Sequence, residues 1–261
     1  MNIESIKEFW HYRELFYFFV WRDMKVRYKQ TVLGASWAII QPFFTMVVFT
    51  LFFGRLAKMP SDGIPYPVFS YSALVPWTYF ATSLSLTGNS LVGNAHLITK
   101  VYFPRVTIPA SAAFSGLVDY GIASLVLLGM MAYYGIQPSL ELMMWPVLII
   151  PLVFLSLGVG MILAALNVRY RDVKYVIPFF VQLWLFLSPI IYPTSIIPER
   201  FRFMGALNPI TGIIEAFRAS LLPSKQIDWS LLGISMFLSV LFFAFGLFIF
   251  GKTERSFADI I

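Results

Sequence analysis

The chain has 261 residues, 59% of them hydrophobic and only 12% charged, with a formal net charge of +6. A soluble domain carries about 25% charged residues, and a fold of this size still exposes much of its apolar surface, so the composition excludes an ordinary water-soluble domain and points to the bilayer. With no cysteine in the sequence, disulfides, thiol catalysis and cysteine metal sites are excluded too.

The N-terminal stretch does not read as a cleavable signal peptide. Acidic Glu4, Glu8 and Glu14 come first, and no small-residue cleavage site follows an apolar core. Residues 15–21 (LFYFFVW) are apolar but too short to cross, and they lead into Arg22, Lys25, Arg27 and Lys29. An aromatic stretch joined to a basic one predicts a helix lying in the membrane surface. A solvated lead-in to the first span is the alternative.

A spanning helix needs about 20 mostly apolar residues. Segments 33–54, 66–88, 107–134, 143–167 and 230–250 meet this, and 175–192 is shorter but carries no charge after Lys174. Their length favours helices over barrel strands, and no dyad alternation is visible. The predicted fold is all-α and polytopic: an N-terminal interfacial helix within 1–32, then one membrane domain over 33–261 with six transmembrane helices. With the N-terminus inside, 13 of the 19 Lys and Arg fall in 1–32, 89–106, 168–174 and 251–261, and 6 in the opposite loops. The positive-inside bias thus places both termini in the cytoplasm.

Region 193–229 holds two apolar stretches, 203–214 and 216–222, each too short to cross, punctuated by Pro193, Pro198, Pro209 and Pro223. Broken helices at membrane depth must pack on protein or line a cavity. The expectation is a pair of short re-entrant or surface-lying helices between spans five and six; a folded external loop is the other reading. On the opposite side, 94–105 (NAHLITKVYFPR) and 167–174 (NVRYRDVK) are compact, charged and aromatic. The second reads as a turn between two spans, and both are compact enough for short helices parallel to the membrane, able to dock on a cytoplasmic partner through charge-assisted bonds. Solvated inside loops fit the same composition.

Candidate chemistry is sparse. Gly246 to Thr253 (GLFIFGKT) fits the phosphate-loop pattern G-x-x-x-x-G-K-[ST]. That motif needs a strand before it and a helix after it, and here a spanning helix precedes it. Lys252 and Arg255 read instead as the cytoplasmic end of the last span. Asp119 is the one ionisable residue within a predicted span. An acid there suggests function, but a single carboxylate without an evident partner is thin support for a proton path, and hydrogen bonds from Ser, Thr or Tyr would serve it equally. His11 and His96 are too far apart in sequence to suggest a metal site. Gly158 and Gly160 are candidates for close helix approach. Glu199, Arg200, Arg202, Glu215 and Arg218 form the one polar cluster that an embedded lipid-processing enzyme would require.

Four stretches carry a resemblance. Residues 21–42 (WRDMKVRYKQTVLGASWAIIQP), 94–109 (NAHLITKVYFPRVTIP), 167–173 (NVRYRDV) and 188–218 (SPIIYPTSIIPERFRFMGALNPITGIIEAFR) together resemble the permeases of type-2 ATP-binding-cassette exporters of polysaccharides. These include O-antigen, teichoic-acid and capsule exporters, and the chain looks closest to the O-antigen permeases. Permeases for drugs or other lipids share the superfamily. The resemblance implies a homodimer of six-helix subunits in the bacterial inner membrane, paired with two copies of a separate ATPase. ATP and magnesium would bind on that partner, with no cofactor in this chain, and the cargo would be a lipid-linked polysaccharide.

The resemblance further implies that spans one and five line the path. A glycan path would be lined by aromatics that stack on sugar faces, since unsatisfied polar groups in hydrocarbon cost several kcal/mol, roughly. Phe43, Phe44, Trp184, Phe186 and Tyr192 lie in those two segments. Pro189, Pro193, Asn208 and Pro209 fall where the family has its outer gate. His96, Lys100, Arg105, Arg169, Arg171 and Asp172 fall where it touches the ATPase.

Overall fold

The computed structural model describes residues 10–29, 34–221, 226–254 and 257. It is all-helical, with no strand among the described residues. Residues 1–9 and 30–33 of the expected N-terminal segment, 222–225 of the outer pair, and Arg255 lie outside the described residues.

Helix α1 (Arg13–Lys29) comes first. It is followed by α2 (Trp37–Phe49), entered through the 3-10 turn Gly34–Ser36 and extended by a π-helical turn, Thr50–Leu56. Next are α3 (Tyr66–Gly93) and the short α4 (Ala95–Lys100). Helices α5 (Thr107–Ser115) and α6 (Leu117–Tyr133) form one run broken only at Gly116. Helix α7 (Trp145–Arg169) is followed by α8 (Val173–Leu187). Helices α9 (Glu199–Ala206), α10 (Thr211–Ala219) and α11 (Trp229–Thr253) complete the chain.

Four helical runs are long and apolar enough to cross a membrane: Trp37–Leu56, Thr107–Tyr133, Leu140–Arg169 and Trp229–Thr253. They coincide with four of the expected spans. The 28-residue α3 is about 42 Å long at 1.5 Å per residue, but Ser, Thr, Asn and Tyr temper its hydropathy. Helix α8 has 15 residues, about 22 Å, and ends at Leu187 instead of continuing to 192. Residues 188–192 are non-helical because Pro189 supplies no N–H to continue the ladder.

Helix α3 is the axis of the bundle. Most of its residues are buried, and α2, α5, α6, α7, α8 and α10 all pack against it. Helix α7 lies beside it and α11 lies against α7. The small residues of α7 set these spacings. A Cβ on Gly160 would sit 2.6 Å from Thr87 Cγ2 of α3, and one on Gly158 would sit 2.5 Å from the Phe242 carbonyl of α11. Gly246 returns the contact: its Cβ would lie 2.3 Å from the Gly158 carbonyl oxygen. The expected close approach at Gly158 and Gly160 is therefore present, on two different faces of α7.

Burial is uneven. The apolar stretch of Leu140–Arg169 is 67% buried within the chain, whereas that of Trp37–Leu56 is only 11% buried. Ile177 is the one buried residue of α8, seated against Gly88, where a Cβ would be 2.7 Å from Ile177 Cδ1. Helices α2 and α8 thus present long apolar faces that the described residues leave uncovered.

Three expectations are corrected at the loops and short helices. Of 94–105, only Ala95–Lys100 is helical, since Pro104 and the extended Val101 end it. The stretch 167–174 is the expected turn between two spans and not a separate helix: α7 runs to Arg169, a tight turn spans 170–172, and α8 starts at Val173. The short outer helices fall at 199–206 and 211–219, not at 203–214 and 216–222, because Asn208 and Pro209 interrupt the first apolar stretch.

Candidate functional site

One end of the bundle gathers the charged loops. Asn167 at the end of α7 donates its amide to the Gly88 carbonyl and to Asn89 Oδ1 of α3, both at 3.1 Å. This fixes the turn carrying Arg169, Arg171 and Asp172 beside α4, which leaves the end of α3 directly. All three residues are exposed, as are His96 and Lys100. Ile98 is buried and anchors α4, leaving Val101 (55% exposed) and Tyr102 (81%) to face outward. Tyr170 and Tyr175 are exposed as well, each beside a cation: Arg169 over Tyr170 at 5.5 Å and Lys174 over Tyr175 at 4.8 Å. The result is a basic surface interleaved with aromatics.

Arg105 is placed differently. Its backbone N–H donates to Glu254 Oε1 at 3.1 Å, and its guanidinium donates to the Glu254 carbonyl. It ties the segment after α4 to the end of α11. The phosphate-loop pattern Gly246–Thr253 lies wholly inside α11. Its backbone groups are engaged in the helix, and Gly246 serves interhelix packing.

The opposite end holds the turn at 188–192 and helices α9 and α10. Trp184, Pro189, Tyr192, Asn208 and Pro209 all line one open, largely apolar groove of about 830 Å³, together with Phe180, Phe201, Met204 and Phe242. Trp184 is set by three partners. Its indole N–H donates to Asn208 Oδ1 at 2.8 Å, and its ring meets Phe80 at 4.9 Å and Phe180 at 5.0 Å, both edge-on. Asn208 in turn donates to Ser188 Oγ at 3.0 Å and to the Leu187 carbonyl at 3.2 Å. One side chain therefore links the end of α8 to the α9–α10 connection. Pro193 is buried just beyond Tyr192.

Phe43 and Phe44 are not part of this groove. Phe43 borders a separate cleft between α2 and α6, and Phe44 is 62% exposed on α2. Phe186 is 55% exposed on α8. The two candidate path-lining helices each pack on α3, and their exposed aromatics do not converge within one subunit.

The polar cluster 199–218 separates into two parts. Glu199 and Arg202 are an exposed pair at 3.7 Å. Arg218 is fully buried, paired with Glu215 at 3.0 Å, and its guanidinium lies 3.7 Å from the Phe69 ring centroid. The cluster does not present convergent catalytic groups to one face.

Asp119 has a tyrosine donor of the kind the sequence allowed for, and a cation that it did not reveal. Arg27 and Tyr28, at the end of α1, both donate to its carboxylate, and Arg27 also donates to Ser115 Oγ at 3.1 Å. Burial first, and then the hydrogen bond to Asp119, push the Tyr28 hydroxyl well above its ordinary range, so it stays a donor. Beside this clasp is a cavity of about 200 Å³ lined by Trp37, Gln41, Thr78, Thr82 and Tyr120. Helix α1 is further seated on α5 by Phe16 against Phe114 and Ser111 donating to Asp23 at 3.3 Å.

Comparison with known proteins gives a consistent result. The family model described as "ABC-2 type transporter" matches residues 14–222. The chain is 30% identical over 220 residues to the O-antigen export system permease protein RfbA of Myxococcus xanthus, covering 83% of this chain and 84% of that protein. It is 29% identical over 242 residues to RfbA of Klebsiella pneumoniae, covering 92% of each. It is 27% identical over 207 residues to the polysialic acid transport protein KpsM of Escherichia coli, covering 77% of this chain and 79% of that one.

Proposed function

Because the chain belongs to the ABC-2 type transporter family, we propose that it is the permease subunit of an ATP-driven exporter that moves a lipid-linked polysaccharide of the O-antigen type out of the cytoplasm. It is a membrane transport subunit and not an enzyme. The observation that carries the cargo reading is the groove at the outer end. Trp184 and Tyr192 supply aromatic faces, Asn208 supplies a polar handle, and the apolar remainder suits a carrier.

Two copies of the subunit enclose the path in this reading. Support comes from α2 and α8, whose uncovered apolar faces flank one axial helix and carry Phe43, Phe44 and Phe186. The chain crosses six times, with α3 and α8 added to the four long apolar runs. Helix α8 falls short of the roughly 30 Å hydrocarbon core, so the turn at 188–192 and helices α9 and α10 sit at membrane depth on the outer side. Both termini face the cytoplasm, and α1 lies at that surface.

Force arrives from a separate ABC ATPase, present in two copies, that holds ATP and magnesium. His96, Lys100, Arg169, Arg171 and Asp172 receive it, and Arg105 passes it to α11 through Glu254. The test is reconstitution of this chain with its ATPase and a lipid-linked O-antigen in vesicles. ATP-dependent appearance of glycan on the far side supports the reading. Equal transfer without the ATPase, or glycan cleavage by this chain alone, overturns it.

A further inference from the structure

The five residues after α8 have left the helix, so their carbonyls need donors from elsewhere. Three in succession receive them from side chains. The Ile190 carbonyl accepts from Arg218 Nη2 at 2.8 Å, the Ile191 carbonyl from the Tyr66 hydroxyl at 2.8 Å, and the Tyr192 carbonyl from Arg218 Nη1 at 3.5 Å. Arg218 stands on α10 and Tyr66 at the start of α3. The turn is thereby held from both sides by groups that no neighbour in sequence could supply.

Each donor is itself fixed. Arg218 is fully buried, neutralised by Glu215 at 3.0 Å and packed over the Phe69 ring. A buried guanidinium is tolerated only with such compensation. The Tyr66 ring lies on the backbone of the π-helical turn Thr50–Leu56, where a Cβ on Gly54 would be 2.8 Å from Tyr66 Cγ. Tyr66 therefore touches the outer end of the first path helix with its ring and the turn after the second with its hydroxyl.

We propose that Tyr66 and Arg218 are positioning residues for the outer gate. They hold residues 190–192 as one body with α10 and tie that body to the outer end of α2. This rests on the proposed export function and on the resemblance that places Pro189, Pro193, Asn208 and Pro209, at the turn and the groove beside it, in the outer gate. It assigns these two residues a role that the groove-lining side chains do not have, since neither lines the groove.

The absence of native cysteine makes the test direct. Leu187, 71% exposed at the end of α8, is replaced by Cys and spin-labelled in the reconstituted permease–ATPase complex. Y66F removes one hydroxyl and keeps the ring on Gly54; R218Q removes the charge and part of the donor fork. The expected result is a more mobile label in both, with export lowered about fivefold in Y66F and at least about tenfold in R218Q, and with the complex still assembled. Should R218Q fail to assemble, Y66F alone decides. An unmoved label in Y66F overturns the proposal whatever export does. A mobilised label with wild-type export leaves the two residues as the pin of the turn and overturns the gate reading on which the role depends.

Discussion

Arg27 and Asp119 form an ion pair across 92 residues of sequence, joining the N-terminal helix to α6. Asp119 is the acid inside a span and Arg27 belongs to the basic stretch that precedes span one. Each neutralises the other, with side chains 24% and 22% exposed. The pair removes the main reason to read Asp119 as a proton carrier, because its charge already has a cation and a phenol donor in place.

Breaking this clasp costs stability in a specific pattern. Removing one partner of a buried pair costs about 3–5 kcal/mol, and the partial exposure here reduces that to roughly 1–3 kcal/mol. Asp119→Asn and Arg27→Gln are each expected to lower the thermal midpoint of the purified protein in lipid nanodiscs. The double variant should fall short of the sum of the two, the coupling being read from a double-mutant cycle. Strict additivity means that the two side chains do not act as a pair.

The coupling surface makes a different prediction. Arg169 and Arg171 are exposed, and Arg169 lies over the equally exposed Tyr170 ring, so replacing both with Ala should leave the subunit inserted and stable. Export by the complex is expected to drop at least about tenfold, the scale of losing charge-assisted hydrogen bonds, while ATP hydrolysis continues. Export at the wild-type rate in cells carrying this variant removes the docking role.

The last helix separates a sequence motif from a physical site. Lys252→Ala should leave ATP turnover by the complex unchanged, and the purified chain alone should hydrolyse none. Gly246→Leu should instead lower stability by about 1–3 kcal/mol or more, because its side chain has only the Gly158 backbone to enter. Loss of turnover in the Lys252 variant, with packing intact, returns the motif to consideration as a nucleotide site.

How much of this was legible in the sequence depends on the range of the interaction. Apolar segments reveal themselves because hydropathy is summed locally, and the four long runs fall where the composition puts them. The dismissal of the phosphate-loop pattern also needed only local context. Ends of elements were less legible. Pro189 is a local breaker that the expected span 175–192 ran through, whereas nothing local tells that 190–192 borrow donors from Tyr66 and Arg218. Arg218 reads in the sequence as a member of the 199–218 polar cluster, and its full burial over the Phe69 ring comes from the fold. The partners of Asp119, and Phe80 and Asn208 around Trp184, come from segments whose distance in space no periodicity encodes; Phe180, one helical turn before Trp184, is the local exception.

Trp184 and Asn208 give a test of the groove that isolates one hydrogen bond. Trp184→Phe keeps an aromatic ring against Phe80 and Phe180 but loses the indole donor at 2.8 Å. The expected cost is about 1 kcal/mol in stability. Asn208→Ala should cost more, since Asn208 also holds Ser188 and the Leu187 carbonyl. Equal effects of the two variants on thermal midpoint argue that Asn208 does no more than serve the indole.

Exposure of α2 and α8, the candidate path helices, can be read chemically, since every cysteine introduced is unique in this chain. Phe44 and Phe186 present large apolar surface on α2 and α8, at 62% and 55% exposure in the single subunit. If two copies enclose a hydrated path, some of that surface meets water and sugar, and the rest meets lipid. Cysteines at 44 and 186 are therefore expected to react with a membrane-impermeant maleimide in the assembled complex, faster while ATP is being hydrolysed than at rest. A cysteine at Phe237, 68% exposed on α11, serves as the lipid-facing control and should stay unlabelled. Should positions 44 and 186 label no faster than 237 under turnover, α2 and α8 face lipid and the path lies elsewhere.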